Sequence, residues 1–574
     1  MSDARSLLAQ MKLSQAEHLP LLAAFLERMG LVARVNASVP CEMAVDLGSV
    51  VALLVLDTLS GRSPLYRLER FAASVDTGLL LGREVHPSAF NDTTLGRALD
   101  VLYEYGTEQL FSQIAYAATR AFPLEVDGRH LHFDTTSVSV WGDYTRNEDA
   151  GPEELNLTHG YSKDLRPDLK QFLLQMLCVH RTIPILGGCA DGNASDKTVN
   201  NTVLTNLSAY LARHGLSPGA FVYVADSALV TPQNLEALRS NLFITRLPFT
   251  YGETERVVSE AVKQGTWAAV PREADSTGKR AKASYRVREA AVTLEGRPYR
   301  AVVVHSDAFD RRRQKKIERL LAASRETMTG RLEEAQKTEY FCKEDAEAAA
   351  QKLMRDTSPY HCCGCAVREK VTYARGRPPK NGERRVAKMR YLLEGDVLER
   401  TEEIERAKEE AGCFVLLTNV PTEGEMAHTA EEVLAAYKEQ HGIERNFGFL
   451  KDPLIVNDLF LKRPDRIEVL GFILLLSLLT WNLMEHVLRA HLKKTDSTIS
   501  GWDRKPTTRP TTFMMTTKFK GVLVAKIGGE WYFTAPLSPE QRQWVQALGL
   551  SEEVLLRKGT VPLCPPQKLP GDRA

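Results

Sequence analysis

Three acids stand where metal-assisted phosphate chemistry could be done: Asp134, Asp226 and Glu444. Asp134 lies in His130-Leu-His-Phe-Asp-Thr-Thr-Ser-Val-Ser-Val-Trp141, whose alternation reads as a strand. Asp226 ends the apolar run Phe221-Val-Tyr-Val-Ala and opens into Ser227-Ala-Leu, a turn. Glu444 belongs to Tyr437-Lys-Glu-Gln-His-Gly-Ile-Glu-Arg-Asn-Phe-Gly-Phe-Leu-Lys451. Carboxylate oxygens are the ligands hard Mg²⁺ prefers, with water and phosphate filling its remaining positions. Two such ions about 4 Å apart can activate an attacking oxygen and stabilise a leaving one in phosphoryl transfer.

The elements that must carry these acids can be read locally. Thr429 followed by Glu432 is a capping signature, so a helix is predicted from near Thr429 through Lys451. Tyr437, Glu444 and Lys451 recur at seven-residue intervals, and Gln440 sits four before Glu444. On one helix these side chains share a face of ring, amide, carboxylate and ammonium. That face suits a metal ion and a phosphate backbone, and it equally fits a solvated face with i,i+4 polar pairs.

The spacing Tyr437, Gln440, Glu444, Lys451 resembles Tyr-x2-Arg-x3-Glu-x6-Lys, the signature of bacterial insertion-sequence transposases of the DDE type. Gln440 stands where that pattern has arginine. Asp134-Thr-Thr and Asp226-Ser-Ala-Leu with Thr231-Pro-Gln-Asn-Leu resemble the same group, as do His159–Gln171 and Gly188–Asp196 between them. The resemblance covers most of the chain. It implies a multidomain α+β protein: an N-terminal helical domain, a ribonuclease H-like α/β catalytic core interrupted by a β-rich insertion, and a C-terminal helical/β segment. It also implies that Asp134, Asp226 and Glu444 hold Mg²⁺, with Mn²⁺ as a substitute, for DNA nicking and strand transfer. Lys451 and Tyr437 would contact the DNA end. Gln440 cannot supply the arginine's charge, so Lys438 or Arg445 would compensate, or end binding would be weaker. The implied partners are double-stranded DNA, both terminal inverted repeats and target, and a second copy of the chain in a synaptic homodimer.

Composition sets bounds beside this. The chain has 574 residues, long enough for several domains. Its formal net charge is +1, so any nucleic-acid surface must come from local segregation of charge. Nine unevenly spaced cysteines do not read as a disulfide framework, and the expected location is the cytoplasm. The apolar run Val469–Met484 is shorter than a bilayer needs and reads as a buried core helix, with no membrane partner expected.

In chain order, residues 1–122 read as short helices, expected to bind element ends through the resemblance; a helical scaffold or dimerisation domain is the other reading. Arg62, Arg67, Arg70 and Arg97 are candidate phosphate contacts there. Residues 128–247 read as the first part of the core, with Gln171–His180 and Thr182–Ala190 joined as a hairpin and a helix from Asp196 to Leu211. Residues 248–410 read as a β-rich, basic insertion, and 411–495 as the second part of the core with the catalytic helix. Residues 496–574 form the C-terminal segment, with Thr512–Ala535 expected to be β-like and a flexible tail after Lys558.

Lys163 and Arg166 lie in a charge-balanced loop with Asp164 and Asp168 that could touch DNA. Asp191 reads as a turn residue. Arg375-Gly-Arg377-Pro-Pro-Lys380 could place arginines in a narrow A·T minor groove or form a solvated linker turn. His361-Cys-Cys-Gly-Cys365 lacks a second pair at zinc-finger spacing and reads as chance clustering. Two rival functions remain: a ribonuclease H-like nuclease that cuts without joining, and a decayed DNA-binding remnant.

Overall fold

The computed structural model describes residues 11–60, 67–122, 130–146, 151, 154–162, 166–195, 199, 220–271, 283–307, 311–376, 382–452 and 461–557. It is a mixed α/β chain of two units, residues 1–243 with 436–574, and residues 244–435. Apart from Val199, the expected helix from Asp196 to Leu211 lies outside the described residues, as does the expected tail from Lys558.

The first unit opens with a strand where only helices were expected: β1 (Lys12–Gln15). Helices α1 (Leu19–Arg28), α2 (Leu31–Ser38), α3 (Leu47–Ser60), α4 (Leu68–Ser74), α5 (Thr77–Leu81), α6 (Asp92–Tyr105) and α7 (Thr107–Ala121) follow. Asn91 caps α6 by accepting from the Thr94 N–H. Next come β2 (His130–Val140), β3 (Lys170–Val179), β4 (Ile183–Ala190) and β5 (Val222–Ala225), in sheet order β4-β3-β2-β5. The β3–β4 pair is antiparallel and turns through His180 and Arg181, both at positive φ. β2 pairs antiparallel with β3 but parallel with β5. β3 is buried almost throughout, which explains its largely apolar run, and β2, as deeply buried, carries His132, Thr135, Thr136 and Ser137 into the interior.

After α8 (Pro232–Ala237), β6 (Leu242–Leu247) carries the chain into the second unit. There α9 (Gly252–Gln264), β7 (Ala268–Ala269), β8 (Tyr285–Leu294) and β9 (Arg297–Ser306) lead to α10 (Arg311–Gln336) and α11 (Lys343–Arg355). β10 (His361–Tyr373) and β11 (Val386–Glu399) form a long hairpin, and α12 (Thr401–Ala411) leads into β12 (Cys413–Thr418). β12 lies between β6 and β9, giving an antiparallel order β6-β12-β9-β8-β7. Cys363 packs in the core with Met328 and Leu332, so this member of the His361–Cys365 cluster serves packing.

The predicted cap at Thr429 is present. The Thr429 N–H donates to Glu432 Oε2 at 2.8 Å and the Glu432 N–H to Thr429 Oγ1 at 3.2 Å. The single helix expected from there to Lys451 is instead two, α13 (Ala430–Lys438) and α14 (His441–Leu450). Glu439, Gln440, Gly442 and Ile443 donate to carbonyls three residues back, a tightened 3₁₀ turn. Gly442 shows why the turn is held: a Cβ there would lie 2.3 Å from the Arg181 carbonyl oxygen. The break changes the helical phase, so the seven-residue spacing no longer describes one face. Tyr437 and Gln440 are half-buried, whereas Glu444 is exposed.

The apolar run is the centre of α15 (Pro464–Thr495). This helix is long and apolar enough to cross a membrane, yet 94% of its apolar window is buried within the protein. It packs against β4 and the N-terminal helices α3, α6 and α7. Short strands β13 (Ile499–Ser500) and β14 (Pro506–Thr507) follow.

Thr512–Ala535, expected to be β-like, begins as a helix, α16 (Thr512–Phe519). Thr511 caps it, and Thr512, Met515 and Phe519 bury at helical spacing. A Gly528-Gly529 hairpin turn joins β15 (Leu523–Ile527) to β16 (Glu530–Phe533), with both glycines at positive φ. β15 also pairs with β1, so the two ends of the unit share a sheet. α17 (Pro539–Ala547) closes with a capping box at Ser538 and Gln541.

Candidate functional site

The parallel ladder of β2 and β5 pairs His130 with Val222, Leu131 with Tyr223 and His132 with Val224. Asp134 and Asp226 each lie two residues past the last of these pairs. Asp226 keeps an extended backbone, φ −71° and ψ −178°. The two aspartates therefore stand level on neighbouring strands, which run about 4.8 Å apart, and their side chains take the face of His132 and Val224. Both are half-buried. Asp134 Oδ1 accepts from the Thr135 N–H at 2.8 Å, and Asp226 Oδ1 from the Ala228 N–H at 3.0 Å. On the other face, burial and then the charges of Asp226 and Asp134 push the Tyr223 phenol well above its ordinary range.

α14 covers the aspartate face. Met176 and Cys178 pair with Asp134 and His132 across the β2–β3 ladder, so they share that face. Asn446 of α14 reaches both sulfurs, Met176 Sδ at 3.7 Å and Cys178 Sγ at 3.6 Å. Asn446 also donates to the Thr182 carbonyl at 2.7 Å and accepts from Asn482 Nδ2 at 3.0 Å. Asn482 donates to the same carbonyl. This buried amide pair fixes α14 and α15 to the β3–β4 turn.

Glu444 stands on the outer side of α14, 65% exposed, its Oε2 3.0 Å from His441 Nδ1. With Glu439 and Gly442 it lines an open pocket of about 490 Å³, rimmed by Arg181, Lys438, Arg445 and Arg509. Lys438 and Arg445, the two cations expected to offset Gln440, thus both border the pocket that holds Glu444. Gln440 is the N-cap of α14 and Lys451 its C-cap.

Glu439 is the site residue that sequence reading missed. Its Oε2 lies 3.5 Å from His130 Nδ1 and 3.5 Å from His132 Nε2. Its Oε1 accepts from Arg181, at 2.9 Å from Nε and 2.6 Å from Nη2. Burial opposes ionisation of Glu439, but the two imidazoles and Arg181 outweigh it and hold the carboxyl well below the usual range. Burial lowers the pKa of His132, against the pull of Glu439. His130, His132 and Glu439 could together hold a metal ion. The signal was present in the alternation: His130, His132 and Asp134 occupy one face of one strand.

The other predicted residues scatter. Lys163, Asp164, Asp196, Arg62 and Arg377 lie outside the described residues. Arg166 pairs with Asp168 at 2.8 and 2.7 Å and stacks over Trp141 at 5.1 Å. Arg375, in the second unit, is exposed, as are Arg67, Arg70 and Arg97 in the first. Asp191 Oδ1 accepts from the Asn156 N–H, a structural turn role. The segments around His159 and Gly188, far apart in sequence, meet: Gln171 Nε2 donates to the Gly192 carbonyl at 2.7 Å.

Residues 11–116 match a family described only as a domain of unknown function, DUF4277. That stretch runs from β1 through most of α7. No curated protein matches the chain.

Proposed function

We propose that this protein is a DNA transposase of the DDE type, with a ribonuclease H-like core formed by β2–β5 and α14. The observation that carries the reading is the level, same-face placement of Asp134 and Asp226 on parallel strands beneath the helix bearing Glu444. An all-oxygen carboxylate pair, half-buried and open to an adjoining helix, fits a hard divalent cation. Asp134 and Asp226 would hold Mg²⁺ or Mn²⁺, and Glu444, exposed on the outer side of α14, would complete the site by turning toward them. When bound, these ions would supply Lewis-acid activation at the phosphodiester and charge neutralisation at the leaving oxygen.

The chain's own residues would position the nucleic acid. Lys438, Arg445 and Arg509 border the Glu444 pocket and would draw DNA phosphates to it as fixed cations. Tyr437, Gln440 and Lys451 would contact the element end, and Lys163, Arg166, Arg375 and Arg377 the flanking duplex. The DUF4277 segment would bind the terminal inverted repeats, with a homodimer joining two ends in the cytoplasm. Excess Arg and Lys at one pocket of a chain with net charge +1 is the segregation such binding needs.

The test is cleavage of DNA carrying the inverted repeats that flank the reading frame, with Mg²⁺ and with EDTA, beside Glu444→Ala. Mg²⁺-dependent nicking at the repeat boundary, lost in the variant, is expected. A pre-nicked end that is never joined to target DNA would favour the nuclease reading. Binding without any cut would favour the remnant.

A further inference from the structure

We propose that His130, His132 and Glu439 form a second metal site, for a borderline transition-metal ion of the Zn²⁺ class, separate from the aspartate pair. The three donor atoms lie within 4.8 Å of one another, and two of the three edges, both to Glu439 Oε2, are 3.5 Å. Tetrahedral zinc, with bonds of about 2.0–2.1 Å, sets its ligand atoms roughly 3.3 Å apart. Two edges are therefore already close to the required length.

A buried orphan supports the same site. His132 is fully buried; its Nδ1 has no hydrogen-bond partner, and its Nε2 faces Glu439 Oε2 at 3.5 Å, beyond the length of a strong hydrogen bond. An unsatisfied buried polar group costs about 1–3 kcal/mol and is uncommon in native interiors. An ion on Nε2 would give that nitrogen a full partner and aim the ring at Glu439.

The donor set selects the ion. Imidazole nitrogens suit zinc and its first-row neighbours, whereas magnesium prefers oxygen. The second oxygen of Glu439 is held by Arg181, so the carboxylate presents Oε2 to the imidazoles in one orientation. Such an outer contact is how metal-binding carboxylates are usually aimed. Placed here, the ion would tie β2 to the turn between α13 and α14, five residues before Glu444. The inference does not depend on the transposase reading, because it concerns different donors.

The experiment is a Co²⁺ titration of full-length, chelator-treated protein, read by visible absorption. Saturable 1:1 binding with the intense bands of four-coordinate Co²⁺, displaced by Zn²⁺ and unaffected by excess Mg²⁺, is expected. Affinity should fall about 100-fold or more in His130→Asn and in Glu439→Gln, and stay unchanged in Asp134→Asn. His130 is only half-buried, so His130→Asn decides the matter if Glu439→Gln fails to fold. Absence of saturable four-coordinate bands, bands unchanged in His130→Asn, or bands lost in Asp134→Asn would each overturn the proposal.

Discussion

Asp134 and Asp226 stand level on two parallel neighbouring strands, 92 residues apart in sequence, each two positions beyond the paired His132 and Val224. Their carboxylates share one face of the sheet; burial, and then both charges, raise the pKa of Tyr223 on the other. Two like charges so close are unfavourable without a cation between them.

Asp134→Asn and Asp226→Asn should each lower DNA cleavage by about 1000-fold or more, the rate equivalent of several kcal/mol of lost charge stabilisation. Both should leave the urea midpoint of the metal-free protein largely unchanged, because asparagine keeps an oxygen acceptor for the Thr135 and Ala228 N–H groups. Cleavage assays beside urea denaturation in EDTA check this. A variant that keeps wild-type cleavage would remove its residue from the site.

Asn446→Leu should lower stability by about 1–3 kcal/mol, since it removes one of the two acceptors of buried Asn482 and one donor from the Thr182 carbonyl. It should also reduce cleavage beyond what the stability loss explains, because α14 loses its anchor over the aspartate face. Denaturation followed by cleavage well below the melting temperature separates the two effects. An unaltered urea midpoint would show that the amide pair is not a fixed point of the fold.

Glu108, in the first turn of α7, has its pKa raised by burial and then by the charge of Glu468. Glu468 is itself raised by burial, although Thr107 Oγ1 donates to it at 2.8 Å. A carboxyl whose folded pKa exceeds its unfolded one keeps its proton longer in the folded state. Stability then falls as pH rises through that window, and the penalty is complete above the raised pKa. Glu108→Gln should therefore stabilise the protein at neutral pH, with the gain vanishing below the ordinary carboxylate range. Urea midpoints measured across pH 4 to 8 give the answer; a gain that grew on acidification would contradict the assignment.

Gln440→Arg would introduce the charge that the transposase signature carries at this position, between Glu439 and His441, which line a pocket with Lys438 and Arg445. If Gln440 faces DNA phosphate, the dependence of log K on log salt should steepen by about 0.9, the release of one more counterion. Binding measured on inverted-repeat DNA at several salt concentrations reports this slope. An unchanged slope would mean that the neighbouring cations already make the contact.

Much of what the chain can do was decided locally. The strand through Asp134, the turn at Asp226, the cap at Thr429 and Glu432, the hairpin at His180-Arg181 and the Gly528-Gly529 turn follow from residues within one turn or one pleat of each other. Such features depend on short-range sterics and hydrogen bonds, which a sequence states directly. The break at Gln440 did not, because it answers to the close approach of the Arg181 carbonyl at Gly442, some 260 residues away. The same holds for β1 against β15, for Asn446 at the Thr182 carbonyl and for Glu439 against His130 and His132. These contacts join segments hundreds of residues apart. Local propensity, which favoured one unbroken helix through Lys451, yielded there to packing across the sheet face, and only the tertiary structure could decide which glutamate meets the histidines.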